Sequence, residues 1–176
     1  MMDILYRYLL IVLACIAMLA GIQVPNLVDQ YEKRVDAHLR EVTINLKPFQ
    51  DIANKYTGGS LDQLIELHRK SGEKAFQDEG SAIETMVKRK LRFEADLAAM
   101  QASLPVKVFR IAFSGDREMI DETLMQYTYA VPLNQDALLA GAAAAAIILV
   151  LTELLLAVAR YVSGAVMLRI RNRSAQ

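Results

Sequence analysis

Cysteine and net charge are both scarce in this chain, and each shortage excludes a class of protein. Of the 176 residues only Cys15 is a cysteine, so no disulfide framework can form within one chain. Any folded domain must then be held by packing alone. The 20 basic and 20 acidic residues give a formal net charge of zero, and no basic run is interleaved with aromatic residues. Nucleic acid is therefore not an expected partner.

Catalytic and metal-binding patterns are also missing. The sequence has no Ser-His-Asp arrangement, phosphate loop or HExxH motif, and Gly58-Gly59 reads as a helix break rather than a nucleotide cradle. With a tight hairpin at that break, His38 and His68 would lie ~16 Å apart at helical rise, too far for one metal ion. We therefore predict a protein that is not an enzyme, with no catalytic residue, metal site or cofactor.

Apolar residues are abundant and concentrated at the two ends of the chain. They make up 54% of the sequence, although 23% of it is charged. Residues 8–24 contain no charge, and residues 137–159 contain a single one, Glu153. Because about 20 apolar residues cross a ~30 Å hydrocarbon core as a helix, both stretches predict transmembrane helices.

A cleaved signal peptide and a lipoprotein signal both fit the first stretch less well. A signal peptide needs small residues at the cut, and Met18 and Leu19 spoil that spacing around Ala20 and Gly21. A lipoprotein signal ending at Cys15 normally precedes a polar tether, whereas mostly apolar residues follow here. We therefore predict an uncleaved helix.

Arginines flank the far ends of both apolar stretches. Cytoplasmic flanks of membrane helices are enriched in basic residues, so both termini are predicted to be cytoplasmic. The long segment between the helices has little influence on orientation and is predicted to lie in the periplasm. The tail can also attract anionic lipid headgroups, at about 1 kcal/mol for each arginine near the surface. The flanking residues are Arg7 on the first helix, Arg160 on the second, and Arg169, Arg171 and Arg173 in the tail.

These signals divide the chain into four predicted parts. Residues 1–24 form the first transmembrane helix with a short cytoplasmic N-terminus, and residues 25–134 form an extracytoplasmic helical domain. Residues 135–163 form the second transmembrane helix, and residues 164–176 form a basic cytoplasmic tail. The predicted fold class is an all-α membrane protein in which two transmembrane helices bracket a mostly helical periplasmic domain.

Small residues predict how the two membrane helices meet. Ala17 and Gly21 stand four apart near the outer end of the first helix, as do Gly141 and Ala145 near the outer end of the second. Such faces let helix backbones approach closely within a bilayer. They predict a close antiparallel pair, within one subunit or between subunits.

Glu153 is the chemical anomaly of the second helix. An ionisable group inside a membrane helix costs about 2.5–3.5 kcal/mol on insertion scales, so it usually has a partner. Arg160 lies seven residues further along the same helix, and Arg7 lies near the matching end of the first helix. We predict an intramembrane charge pair with one of these arginines, with an ion path as the functional alternative.

The segment after the first membrane helix is predicted to be helical. Pro25 should end or kink the first helix, and Asn26 can cap a new one of about 30 residues, bent at Pro48. This helix has a heptad-like, coiled-coil-like stripe. The stripe consists of Val28, Tyr31, Val35, His38, Leu39, Val42, Asn45, Leu46, Phe49, Ile52, Ala53 and Tyr56.

Further caps and turns outline the rest of the domain. Ser60 with Gln63 predicts a helix to about residue 70, followed by a loop over 73–80. Ser81 with Glu84 predicts a second helix to about residue 103, and residues 106–113 are ambiguous between strand and helix. The apolar residues expected to face inward are Ile83, Val87, Leu91, Leu97 and Leu104. A last helix begins at Asp116, with Ile120, Leu124 and Tyr127 inward, and Asn134 caps the second membrane helix.

Several short motifs resemble those of an uncharacterised proteobacterial inner-membrane family, a domain of unknown function with two transmembrane helices. They are GIQVPNLVDQY at 21–31, His38, TGGSL at 57–61 and VPLN at 131–134. The resemblance extends over nearly the whole chain through the order of these elements. It implies a bacterial inner membrane, and it transfers no catalytic residue because its motifs are caps and turns.

The predicted function is non-enzymatic association within the inner membrane. The chain would be an accessory subunit of a membrane complex or a homo-oligomeric scaffold. Its expected partners are membrane lipids and itself, another inner-membrane protein complex, or both. The alternatives are a periplasmic sensor that works through a partner and an oligomeric channel lined by Glu153.

Overall fold

A computed structural model of the chain describes the backbone of residues 2–132 and 134–173, and the side chains of residues 4–132, 134–159, 161 and 162. Within that part of the chain there are six α-helices and no strand, so the all-α prediction is confirmed. The ambiguous stretch 106–113 is helical. The helices are α1 (Met2–Tyr56), α2 (Leu61–Arg69), α3 (Lys74–Ala99), α4 (Leu104–Ser114), α5 (Arg117–Met125) and α6 (Gln135–Arg173).

Two of these helices, α1 and α6, are long and apolar enough to cross a membrane. Buried residues make up 11% of the most apolar window of α1 and 0% of that of α6. A core helix of a soluble protein would be mostly buried. By length and composition alone, each of the two helices therefore contains a segment that could cross a bilayer.

The first helix does not end at Pro25. Instead, α1 runs without a break through both Pro25 and Pro48. A proline inside a helix removes one backbone hydrogen bond. Packing on either side of Pro25 offsets this loss, since Gly21 is buried one turn before it and Val28 is buried one turn after it. These tertiary contacts therefore allow α1 to continue through Pro25.

Two asparagine side chains form hydrogen bonds with the segment that leads into α6. The predicted helix start at Asn26 is wrong, because Asn26 lies inside α1 and its side-chain amide donates hydrogen bonds to the carbonyl oxygens of Thr128 (3.1 Å) and Ala130 (3.2 Å). The predicted cap at Asn134 is confirmed, since its side-chain oxygen accepts a hydrogen bond from the Ala137 N–H at 2.9 Å.

The chain forms two compact units. The terminal unit comprises Met1–Asn26 and Thr128–Gln176, and the central unit comprises Leu27–Tyr127. The central unit has one hydrophobic core, to which α1 contributes side chains at the predicted heptad-like spacing. Three predicted members of the stripe are exposed, namely Asn45, Ile52 and Tyr56 (76% exposed), whereas Ala53 is fully buried. The buried core residues are Val28, Tyr31, Val35, Val42, Leu46, Ile65, Ile83, Phe93, Met100, Ile111 and Met119.

The break after α1 forms as the glycines predict. Gly58 and Gly59 have φ values of +59° and +88°, a region that favours glycine. Ser60 then caps α2, because its side chain accepts a hydrogen bond from the Gln63 N–H at 3.2 Å. This helix start is therefore confirmed.

The loop predicted over 73–80 is wrong, because α3 already begins at Lys74. Ser81 lies inside that helix and its hydroxyl donates to the Gln77 carbonyl at 3.2 Å, so it is not a cap. Contact with α2 explains the longer helix: Gly80 is buried, and a Cβ atom added there would lie 3.0 Å from the His68 Cβ. Packing of these two helices thus outweighs the polar composition of the segment.

Some residues expected to face inward do not. Leu91 on α3 is 59% exposed and Leu124 on α5 is 57% exposed. On α5 the buried face is made instead by Met119 and Thr123. The threonine hydroxyl donates to the Met119 carbonyl at 2.6 Å, which explains how a polar side chain is accommodated there.

Candidate functional site

The terminal unit contains a close contact between α1 and α6 at Gly21. A Cβ atom added to Gly21 would lie 2.7 Å from the Ala140 carbonyl oxygen, 2.7 Å from the Ala144 Cβ and 2.9 Å from the Gly141 Cα. Carbon atoms normally pack at about 3.5–4.0 Å. The two backbones therefore approach each other closely enough at this point to exclude any side chain larger than hydrogen.

The opposing glycine is equally constrained. A Cβ atom added to Gly141 would lie 2.7 Å from Ile22 Cγ1 and 2.9 Å from the Met18 carbonyl oxygen. Of the four predicted helix-packing residues, the structure thus places Gly21 and Gly141 in the contact. Ala17 and Ala145 lie one turn away on the same helices and are half-buried.

A second contact shows that α1 and α6 are antiparallel within this unit. The Tyr6 hydroxyl donates a hydrogen bond of 2.8 Å to the Glu153 carboxylate. From Gly21 this contact lies fifteen residues towards the start of α1, and from Gly141 it lies twelve residues towards the end of α6. At 1.5 Å per residue these separations are ~22 and ~18 Å, so the two helices run side by side over most of a membrane thickness.

Glu153 lies on the outside of this helix pair. It is exposed, and the described part of the chain gives its side chain one hydrogen bond, from Tyr6, and no ion pair. A shallow groove surrounds it, lined by Leu10 of α1 and by Leu149, Val150, Leu154 and Ala157 of α6. The carboxylate is therefore an acidic group on an otherwise apolar surface.

Arg7, one of the two predicted partners of Glu153, is exposed on α1. Among the described residues Arg7 takes part in no ion pair and no side-chain hydrogen bond. The side chains of the other predicted partner, Arg160, and of the tail residues Arg169, Arg171 and Arg173 lie outside the described residues. The backbone up to Arg173 continues α6.

In the central unit, a polar cluster joins α1 to α5. The carboxylate of Glu122 accepts hydrogen bonds from His38 Nε2 at 2.9 Å and from Arg34 at 3.3 Å. The hydrogen bond from His38 and the neighbouring positive charge hold the pKa of Glu122 below its usual value. On its other side the His38 ring faces Phe93, with ring centroids 5.8 Å apart. His38 thus docks α5 against α1 and the core.

A second polar network is centred on the buried side chain of Tyr31. The Tyr31 hydroxyl donates to Asp96 at 3.4 Å and accepts from the Asp116 N–H at 3.1 Å, and Asp116 pairs with Arg92 at 2.8 Å. Burial, reinforced by Asp96, raises the pKa of Tyr31 to about 12. Burial and the charge of Asp116 also raise the pKa of Asp96. These groups are satisfied by one another, which is typical of a structural network.

No cluster of the described residues has the composition of a metal site. Among them, no three His, Cys, Asp or Glu side chains converge closely enough to hold an ion. Cys15 is exposed on α1 and carries a free thiol. The residues that sequence patterns missed are Tyr6, Glu122 and Asp96, whose partners lie on other helices.

The feature with the clearest chemical consequence is therefore the α1–α6 pair, with its glycine contact at one end and Glu153 at the other. Comparisons with curated proteins and with solved structures give no match. A family model does match, over residues 5–164, which include most of α1 and the whole of the second apolar stretch in α6. The chain belongs to the family described as "Protein of unknown function (DUF2937)".

Proposed function

We propose that this chain is a non-enzymatic protein of the bacterial inner membrane that acts by association, as an accessory subunit of a membrane complex or as a homo-oligomeric scaffold. Both termini are cytoplasmic and the central unit is periplasmic in this proposal. The basic flanks at Arg7 and in the C-terminal tail support that orientation. The apolar, largely uncovered surfaces of α1 and α6 support the membrane location.

The observation that carries the proposal is the exposure of Glu153 on the α1–α6 pair. A carboxylate facing lipid is expensive, and a single hydroxyl donor uses only one of its ~4 lone-pair sites. A protein surface with a cation or further donors would remove most of that cost. The exposed acid therefore favours a further protein against this face of the pair.

Native mass spectrometry after gentle detergent extraction tests the association. We expect a species heavier than the 19.6 kDa of one chain. A sample of the same extract treated with denaturing detergent is the control and should return the mass of one chain. A species at the single-chain mass in gentle detergent, with no other protein bound, would refute the proposal.

An ion channel is the second candidate, because Glu153 lines a groove on the surface of the helix pair. The apolar stretches 8–24 and 137–159 contain no second acid to continue a relay, and this favours association. Proton and cation flux into liposomes separates the two candidates. We expect wild-type protein and Glu153→Gln to give the same flux as empty liposomes. A wild-type flux that Glu153→Gln abolishes would establish the channel instead.

A further inference from the structure

We propose that a second copy of this chain covers the surface around Glu153. Arg7 of each copy then pairs with Glu153 of the other copy across a two-fold axis along the membrane normal. This inference rests on the proposed function and specifies its partner. The two charged residues are both exposed in the terminal unit, and neither has an ion pair among the described residues.

Charge complementarity is the first argument. Glu153 and Arg7 carry opposite charges, and each lies within an apolar surface. Tyr6 already directs its hydroxyl at Glu153 from the same helix pair. Because successive residues of an α-helix are turned by ~100°, Arg7 faces a different direction from its neighbour Tyr6. A pair between copies satisfies both charges without disturbing this hydrogen bond.

Depth is the second argument. The hydrogen bond between Tyr6 and Glu153 puts these residues at the same level, and Arg7 is only ~1.5 Å further along α1. A two-fold axis along the membrane normal leaves the depth of every residue unchanged. Arg7 of one copy therefore meets Glu153 of the other at the same level. The contact is isologous, so both charge pairs form at once and neither copy keeps an unpaired charge.

The surrounding surfaces are shaped for the same contact. On α1, Ile4 (60% exposed) and Ile11 (57% exposed) lie three residues before and four residues after Arg7, so the three side chains form one ridge. The groove around Glu153 is apolar, with Leu149 one turn before the acid. A ridge from one helix packs into a groove of another in this way. Arg7 then approaches Glu153, and Ile11 approaches Leu149.

Charge reversal in co-expressed chains tests the pair between copies. One tagged chain carries Arg7→Glu and a differently tagged chain carries Glu153→Arg. Either variant expressed with itself should lose at least fivefold of wild-type co-purification, because like charges meet. The mixture should recover to within twofold of wild type, since both pairs are then complementary between chains. A mixture as weak as the single variants would overturn the proposal, because a pair within one chain cannot be repaired by mixing.

Cysteine cross-linking tests the same contact with the charges intact, in case a charge-reversed chain fails to insert. On a Cys15→Ser background, chains with Ile11→Cys and chains with Leu149→Cys are co-expressed and oxidised in membranes. We expect a disulfide-linked dimer at least fivefold more abundant than with the matched control Val12→Cys, which is exposed and one residue away. Equal yields, or no dimer, would overturn the proposal.

The outcomes also separate this inference from the broader proposal. Copies that co-purify without charge-swap rescue and without the Ile11–Leu149 cross-link associate through another face, so association stands and this contact is refuted. A complex with a different protein and no second copy likewise refutes this contact and leaves association standing. A chain that is isolated alone refutes both.

Discussion

Replacement of Gly141 by leucine should separate the two helices of the terminal unit. The first carbon of any side chain at this position would already lie 2.7 Å from Ile22 Cγ1 and 2.9 Å from the Met18 carbonyl oxygen. Normal carbon contacts of about 3.5–4.0 Å then require a shift of roughly 1 Å. The neighbours include backbone atoms, which cannot rotate away as a side chain can.

The expected loss of stability follows from these contacts. Overpacking typically costs about 1–3 kcal/mol, and the three further carbons of leucine place Gly141→Leu near the upper end. The better helix propensity of leucine offsets up to about 1 kcal/mol. The net loss of ~2 kcal/mol corresponds to a melting temperature lowered by roughly 4–8 °C for a chain of this size.

The assay is thermal unfolding of the detergent-solubilised chain. The readout is the fraction of protein that remains monodisperse on size-exclusion chromatography after heating. Ala142→Leu is the matched control, because the next residue of the same helix is exposed and accepts the larger side chain without a clash. Its melting temperature should remain within about 1 °C of wild type, as for most exposed substitutions. If Gly141→Leu and Ala142→Leu have the same melting temperature, the close contact at Gly141 is refuted.

The other predictions concern topology, buried charge and the Glu122 hydrogen bonds. On a Cys15→Ser background, Ser71→Cys should react with a membrane-impermeant maleimide in intact spheroplasts and Ser174→Cys only after lysis; labelling of position 174 in intact spheroplasts would reverse the orientation. The pKa of Asp96 is raised in the fold above its usual value of 3.8, so the ionised carboxylate lowers the stability of the fold at pH values above 3.8. Asp96→Asn should therefore raise the melting temperature at pH 7, and this gain should disappear near pH 4. The pKa of Glu122 is lowered instead from its usual value of 4.5, so its ionised form is stabilising above pH 4.5; Glu122→Gln should lower the melting temperature at pH 7, by a margin that shrinks as the pH falls below 4.5 and through the lowered pKa. For either variant, a change in melting temperature that stays constant with pH would contradict the direction of the pKa shift given for that residue.

Local signals in the sequence predicted the helix boundaries that depend on local chemistry. Ser60 accepts the hydrogen bond of its capping box, and Asn134 caps α6 as expected. The glycines at 58 and 59 break the chain where their conformations are needed. In each case the residue and its partner are at most three positions apart, so one short stretch of sequence contains the whole interaction.

The boundaries that were wrong depend on contacts between distant segments. Pro25 and the polar stretch before Gly80 both predicted interruptions, yet α1 and α3 pass through them because other helices pack there. The error at Leu124 has a similar cause. The buried face of α5 carries Met119 and Thr123, and Glu122 beside them bonds to residues on α1, contacts that helical periodicity within α5 does not contain.

The candidate site was predictable to a similar extent. The apolar stretches and the small residues identified both helices and the glycines that meet at their crossing. The partner of Glu153 was expected to be Arg7 or Arg160; the side chain of Arg160 lies outside the described residues, Arg7 makes no ion pair among them, and the described hydrogen bond comes from Tyr6. Sequence alone could match the depths of the two helices but not their rotation, and one residue of rotation, ~100°, separates Tyr6 from Arg7.

Membrane insertion of the α1–α6 pair underlies each functional proposal, and the accessibility of Cys15 tests it most directly. Cys15 is exposed on α1 within the uncharged stretch 8–24, so in the proposed topology the bilayer covers its thiol. We expect the wild-type chain to stay in membranes washed with alkaline carbonate, and Cys15 to react with a membrane-impermeant maleimide only after solubilisation in denaturing detergent, whereas Ser71→Cys on a Cys15→Ser background should react in intact spheroplasts. Release of the chain into the alkaline wash, or labelling of Cys15 in lysed membranes before detergent is added, would contradict the proposed membrane-embedded helix pair.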